Sequence, residues 1–195
     1  MTHYFTNKPE KPLELKLIED IVRGVKIKLY TSSEVFSKDK IDEGTRLLIE
    51  SMLILDNWEV LDLGCGYGVI GIVVKKLCPS CKVYMVDINP KAVELAKLNC
   101  KLNNVDCIVL QGDVYEPVKD KKFDTIITNP PYSAGKDIVF KFIEGAREHL
   151  KKNGIFQIVV PKKFKALYYR KLKTTFKEVF LIGENPRYNV YICKP

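Results

Sequence analysis

The most specific chemical signal in the chain is Asn129-Pro130-Pro131-Tyr132, which directly follows the apolar run Phe123–Thr128. Two consecutive prolines stiffen the backbone and remove two N–H donors, which leaves local carbonyls free to accept. The Asn129 amide oxygen and the Pro130 carbonyl can then hold an exocyclic NH2 group, and Tyr132 offers a face on which a flat target stacks. These four residues are the candidate catalytic set.

A second constellation lies upstream in Trp58–Gly71, WEVLDLGCGYGVIG, which reads as a strand, a glycine turn and the start of a helix. Gly64, Gly66, Gly68 and Gly71 keep side chains out of the turn, so backbone N–H groups and the positive end of the helix can approach a ligand. Gly66–Gly71 also matches the dinucleotide pattern G-x-G-x-x-G, with Asp87 about where a ribose-binding acid belongs. Asp62, two residues before Gly64, argues against a pyrophosphate, whose charges it would repel, and for a cationic ligand. S-adenosylmethionine carries a sulfonium and an ammonium and no phosphate. The run resembles motif I of the class I S-adenosylmethionine-dependent methyltransferases, and on this reading Asp62, Gly64, Gly66 and Gly68 belong to the cofactor site.

The remaining polar positions fall at predicted strand ends. Asp87 closes Lys82–Val86, where a carboxylate can accept both ribose hydroxyls, while Asn89 caps the helix that opens at Pro90. Asp113 follows the strand Cys107–Leu110, and the resemblance implies that it takes the adenine amino group; Ile88, Val114 and Asn129 complete the expected cofactor contacts. Residues 34–48 resemble the segment before motif I in the "methyltransferase small" family, which includes ribosomal-RNA guanine-N2 methyltransferases. Phe36, Ser37, Asp42, Gly44 and Thr45 are the matching positions, and Phe36, Ser37 and Thr45 are expected to help close over the cofactor.

The 195 residues suit one domain with a proper core. No apolar run approaches the ~18 residues of a membrane helix, and the opening residues lack a signal-peptide core, so a cytoplasmic protein is expected. A net charge of +8 favours a polyanionic partner; the lysine excess and the two glutamines also suit a thermophile. Of six cysteines, only Cys78 and Cys81 have C-x-x-C spacing, which is half a zinc site, so no metal is expected and the pair reads as a surface turn with reduced thiols. His149, in a last helical turn, is assigned no chemistry.

Leu13, Leu17, Ile18, Ile21 and Val22 recur at helical spacing with Gly24 as the C-terminal cap, and Val25–Tyr30 alternates as a strand. Residues 1–40 thus read as a helix-strand extension and 41–195 as the methyltransferase domain. A helix capped by Asp42 is predicted to run to about Leu55, another spans Val139–Leu150 with Gly154 at its end, and Phe156–Val160 is the next strand. Glu178–Ile182 and Val190–Cys193 form a final hairpin. The expected fold is α/β, a Rossmann-like seven-stranded, mostly parallel sheet with an antiparallel final strand and helices on both faces.

The expected activity is S-adenosylmethionine-dependent methylation of an exocyclic amine in RNA by a monomer, with guanine N2 of ribosomal RNA or a ribosomal subunit as first target and tRNA as the other RNA. Lys163, Lys165, Arg170, Lys171 and Lys173, on an acid-free amphipathic segment, are the candidate phosphate contacts. N6-adenine methylation, protein glutamine methylation and a non-catalytic RNA-binding subunit are the alternatives.

Overall fold

The computed structural model describes residues 12, 14–33 and 39–195. Nine strands and five helices follow in the order β1 (Lys16–Val22), β2 (Val25–Thr31), α1 (Glu43–Ser51), β3 (Glu59–Leu63), α2 (Val69–Leu77), β4 (Lys82–Asp87), α3 (Pro90–Leu102), β5 (Ile108–Gln111), β6 (Phe123–Thr128), α4 (Lys136–Glu148), β7 (Leu150–Pro161), α5 (Lys165–Thr175), β8 (Glu178–Glu184) and β9 (Tyr188–Lys194). Seven strands form one sheet in the order β5-β4-β3-β6-β7-β9-β8. β3 to β7 pair in parallel and β9 runs antiparallel between β7 and β8. The expected Rossmann-like sheet is present, with its antiparallel last strand.

The period of two along each strand decides which layer a side chain enters. Val60, Val83, Met85 and Ile127 pack with α1, α2 and α3, whereas Leu61, Leu63, Tyr84, Val86 and Ile126 pack with α4 and α5. Both faces are therefore covered, which is why the strands read as continuous apolar runs. The strand order reverses between β3 and β6, so the C-terminal ends of β3, β4, β5 and β6 open on a common crevice.

The N-terminal extension departs from expectation. Residues 16–22 form a strand, and β1 and β2 make a hairpin closed by Arg23 and Gly24, whose φ values of 51° and 74° fit a two-residue I′ turn. Gly24 serves that turn and caps no helix. Ile18 and Val22 point inward while Leu17 and Ile21 face solvent, so the apparent helical spacing mixes two faces of one strand. Arg23 is held in its left-handed conformation by tertiary bonds: its amide donates to Glu50 and its guanidinium to the carbonyls of Ile49 and Met52. The outer edge of β2 is closed by two side-chain amides, one in α3 and one on the residue that caps its C-terminus. Asn99 bonds the N–H and C=O of Tyr30, and Asn103 those of Lys28, so successive turns of a helix mimic a neighbouring strand.

Three other boundaries differ. α1 stops at Ser51, short of Leu55, because the chain turns extended at Met52 and Leu53 pairs both backbone groups with the buried Gln157 amide. α4 ends at Glu148 with His149 as its cap, and Gly154 lies inside β7, where a Cβ would meet three carbonyl oxygens at 2.9–3.2 Å. Cys78 and Cys81 are buried free thiols, with Cys81 Sγ directed at the Leu55 carbonyl, so their turn is tucked against the α1–β3 connection instead of lying on the surface.

Candidate active site

Every strand end in the crevice presents a residue the sequence had singled out. A cavity of about 470 Å³ is lined by Gly64 and Gly66 after β3, Asp87 and Ile88 at the end of β4, Asp113 and Val114 after β5, and Asn129 and Pro131 after β6. Its size is that of a small-molecule site. Gly64, Gly66 and Gly68 adopt φ values of 68°, 55° and 98°. A Cβ at Gly66 would meet no protein atom within 4 Å and would stand in the cavity, whereas one at Gly68 would press on Ala96 of α3.

Asp87 is already a two-sided acceptor: Oδ2 takes the Gly66 amide at 2.9 Å and Oδ1 the Asn89 amide at 2.9 Å. A carboxylate has about four acceptor sites, so each oxygen retains capacity for a hydroxyl. Asn89 caps α3 through Lys91 N, as its spacing indicated. Ile88 is 63 % exposed at the cavity wall, where it offers an apolar surface to a flat ligand. Asp113 is exposed at the rim. Val114 has φ 50°, a strained conformation for a β-branched residue. It is held there by the next residue, Tyr115, whose hydroxyl donates to the Phe142 carbonyl and whose ring stacks on His149 at 4.5 Å.

Asp62 sits elsewhere than the charge argument placed it. It is fully buried beneath the glycine turn, where Oδ2 accepts from the Gly71 amide of α2 and Oδ1 has no partner among the described residues; it is not among the residues lining the cavity. Burial, opposed by the Gly71 bond and reinforced by Asp87, raises its carboxyl from 3.8 to about 7. Between those values the folded protein keeps a proton that the unfolded chain releases, so stability falls as pH rises from about 4 to 7 and is level above. The rise corresponds to on the order of 4 kcal/mol. Asp62→Asn retains an acceptor for Gly71 without ionising, so its melting temperature is expected to vary less between pH 5 and pH 8 than that of the ligand-free wild type. Equal slopes would show that Asp62 does not carry the linkage. Burial and the nearby acids push the Cys65 thiol well above its ordinary range, in keeping with a space-filling role.

At the end of β6, Asn129 is clamped. Its Nδ2 donates to Asp42 Oδ2 and to Thr45 Oγ1, both at 3.0 Å, and among the described residues Oδ1 has no donor. Pro131, with φ −77° and ψ 80°, forms an inverse γ-turn in which the Pro130 carbonyl accepts from Tyr132 N at 2.9 Å, leaving one of its lone pairs. Tyr132 is less available than its position in the tetrapeptide suggests. Its hydroxyl donates to the Val159 carbonyl, and its ring packs edge-on against Tyr168 and nearly parallel to Phe164 at 6.2 Å. Phe164, 38 % exposed with Lys163 Nζ 5.0 Å above its ring, is the open member of this group; it lies on the amphipathic basic segment but was not among the candidate site residues.

Phe36 and Ser37 lie outside the described residues, while Thr45 reaches the site through Asn129. Of the expected phosphate contacts, Lys163, Lys165, Arg170 and Lys173 are exposed. Lys171 is engaged within the fold, paired with Glu144 and placed 4.7 Å over the Phe140 ring. No helix among the described residues is long and apolar enough to cross a membrane.

The methyltransferase small domain family matches residues 26–192. The chain is 35 % identical to the uncharacterized protein YbxB of Bacillus subtilis, over 98 % of this chain and 96 % of that one. It is 38 % identical to ribosomal RNA small subunit methyltransferase C of Shewanella sediminis over 82 % of this chain, spanning only 47 % of that relative. The fold superimposes with a TM-score of 0.84 on a T. thermophilus 16S rRNA N2 G1207 methyltransferase (RsmC) solved with AdoMet and guanosine, at 24 % identity, covering 96 % of this chain and 52 % of that one. The chain thus spans about half the length of these rRNA methyltransferases. With its glycine turn, Asp87 and Asn129 brought to one cavity, the chain belongs to the methyltransferase small domain family, whose methyl donor is S-adenosylmethionine.

Proposed function

We propose that the protein methylates the exocyclic N2 amine of a guanine in small-subunit ribosomal RNA. The observation that carries this reading is the Asn129 clamp: with both amide hydrogens engaged by Asp42 and Thr45, Oδ1 is the atom left to accept from a substrate amine. When bound, S-adenosylmethionine supplies a methyl carbon made electrophilic by its sulfonium. Gly64, Gly66, Asp87, Ile88, Asp113 and Val114 would hold it, and the cavity they line also includes Asn129.

An aryl amine is a weak nucleophile because its lone pair is delocalised into the ring. Asn129 Oδ1 and the remaining lone pair of the Pro130 carbonyl would accept its two hydrogens, which fixes the direction of the nitrogen lone pair and draws density toward it. This chain therefore contributes orientation and acceptors, and the proton released after transfer passes to water. Phe164 and the exposed cations Lys163, Lys165, Arg170 and Lys173 would border the RNA, the cations neutralising phosphates.

The choice of RNA rests on the named relatives, and the choice of amine on the guanosine bound by the T. thermophilus protein. Labelled S-adenosylmethionine offered to unmodified small ribosomal subunits, total tRNA and a protein lysate tests it. N2-methylguanosine recovered from 16S rRNA is the expected product; label in adenosine, tRNA or protein glutamine instead would overturn the substrate.

A further inference from the structure

The N-terminal cap of α1 touches the catalytic tetrapeptide. Asp42 Oδ2 accepts from Thr45 N at 3.0 Å, which caps the helix, and the same oxygen accepts from Asn129 Nδ2 at 3.0 Å. Thr45, in the first turn of that helix and buried, takes the second hydrogen of the Asn129 amide at 3.0 Å. Two residues more than eighty positions upstream thus use up both hydrogens of one side-chain nitrogen. Turning the amide over would place its oxygen against a carboxylate oxygen, replacing the bond to Asp42 by repulsion between acceptors, since only the Thr45 hydroxyl can donate as well as accept.

The cap itself is also tied to the loop between β8 and β9. Glu43 accepts from Asn185 Nδ2 at 3.3 Å and pairs with Arg187 at 3.4 Å, both in the β8–β9 loop. The Tyr188 ring packs so close to Gly44 that a Cβ there would come within 2.9 Å of it. An acceptor on this helix start is therefore a rigid reference for Asn129.

We infer that Asp42 is a positioning residue: through the single oxygen that caps α1 it sets which end of the Asn129 amide faces the substrate amine. This rests on the reading of Asn129 as the amine acceptor. Asp42 acts as an oriented acceptor, and its charge is not required, which makes the inference separable from a role in proton transfer or in plain helix capping.

Three variants distinguish these roles. Serine is as good an N-cap as aspartate but too short to span to Asn129, so Asp42→Ser keeps the helix and loses the Asp42 half of the clamp, the half that a turned amide cannot satisfy. Asp42→Asn keeps one oxygen, and the cap bond to Thr45 N holds that oxygen on the side where Asn129 Nδ2 also finds it. Asp42→Ala loses both functions. Asp42→Ser is expected to melt near the wild type and to bind S-adenosylmethionine within about twofold, yet to lower kcat on small-subunit rRNA at least about tenfold, the size expected of a misoriented catalytic group. Asp42→Asn should restore kcat to within about threefold of wild type.

The orientation is also read without turnover, from the side-chain ¹⁵NH2 resonances of Asn129, assigned by their loss in Asn129→Ala. They should move in Asp42→Ser and Asp42→Ala and stay in place in Asp42→Asn. In an Asn129→Ala background, Asp42→Ser should cause no further loss of kcat. Wild-type kcat with unmoved Asn129 resonances in Asp42→Ser would overturn the inference, as would an Asp42→Asn protein as impaired as Asp42→Ser, which would assign the role to charge. Full turnover by Asn129→Ala would instead overturn the reading of Asn129, a result the resonance shifts do not depend on.

Discussion

Asn129→Ala is expected to reduce methyl transfer by about a thousandfold or more while leaving affinity for S-adenosylmethionine within about threefold, because orientation and aligned acceptors are nearly all that the protein adds to the transfer itself. The truncation removes Oδ1, the acceptor left free by the Asp42–Thr45 clamp. It does not remove the cavity walls formed by Gly64, Gly66, Asp87 and Ile88. Asp42 keeps its bond to Thr45 N, so the start of α1 survives and the loss in stability should be about 2–4 kcal/mol, the worth of one bond to a charged acceptor and one to a neutral one. Single-turnover rates beside calorimetric titration separate the two effects. Near-normal turnover would mean that Asn129 does not hold the amine.

Asp87→Ala should produce the opposite pattern, a loss of cofactor affinity of about a hundredfold or more, since two hydrogen bonds to a charged acceptor are each worth about 1.5–3 kcal/mol. The same change strips acceptors from the amides of Gly66 and Asn89, so the glycine turn and the entry to α3 loosen together. The melting temperature of the ligand-free protein should therefore drop as well. Asp87→Asn keeps one acceptor oxygen and should fall between. Titration with S-adenosylhomocysteine, which lacks the sulfonium charge, isolates the hydroxyl contacts; an undiminished affinity in Asp87→Ala would remove Asp87 from the site.

Much of this site was legible because its chemistry is local. A glycine turn, a strand-end aspartate and Asn-Pro-Pro-Tyr each need only a handful of consecutive residues, and a parallel α/β sheet necessarily brings successive strand ends to one crevice. The buried strands were equally plain, since a sheet covered on both faces demands unbroken apolar runs such as those of β6 and β7.

What the sequence by itself determined, then, was the sheet, the crevice and the residues at its lip. Tertiary structure decided how those residues are used. Leu17, Ile18, Ile21 and Val22 suit a helix or a strand equally, and the choice fell to contacts made by Arg23, Asn99 and Asn103 with distant elements. Asp62 lies two residues from Gly64, yet only the pairing of β3 with the α2 layer sends its side chain beneath the turn, away from the cavity. Tyr132 was turned inward by a carbonyl of β7, and Lys171 was taken up by Glu144. The partnership of Asp42 with Asn129 spans 87 positions, and no local propensity encodes it. Alternation and turn chemistry depend on neighbours along the chain, whereas the direction of a single amide depends on atoms that only the completed fold brings within 3 Å.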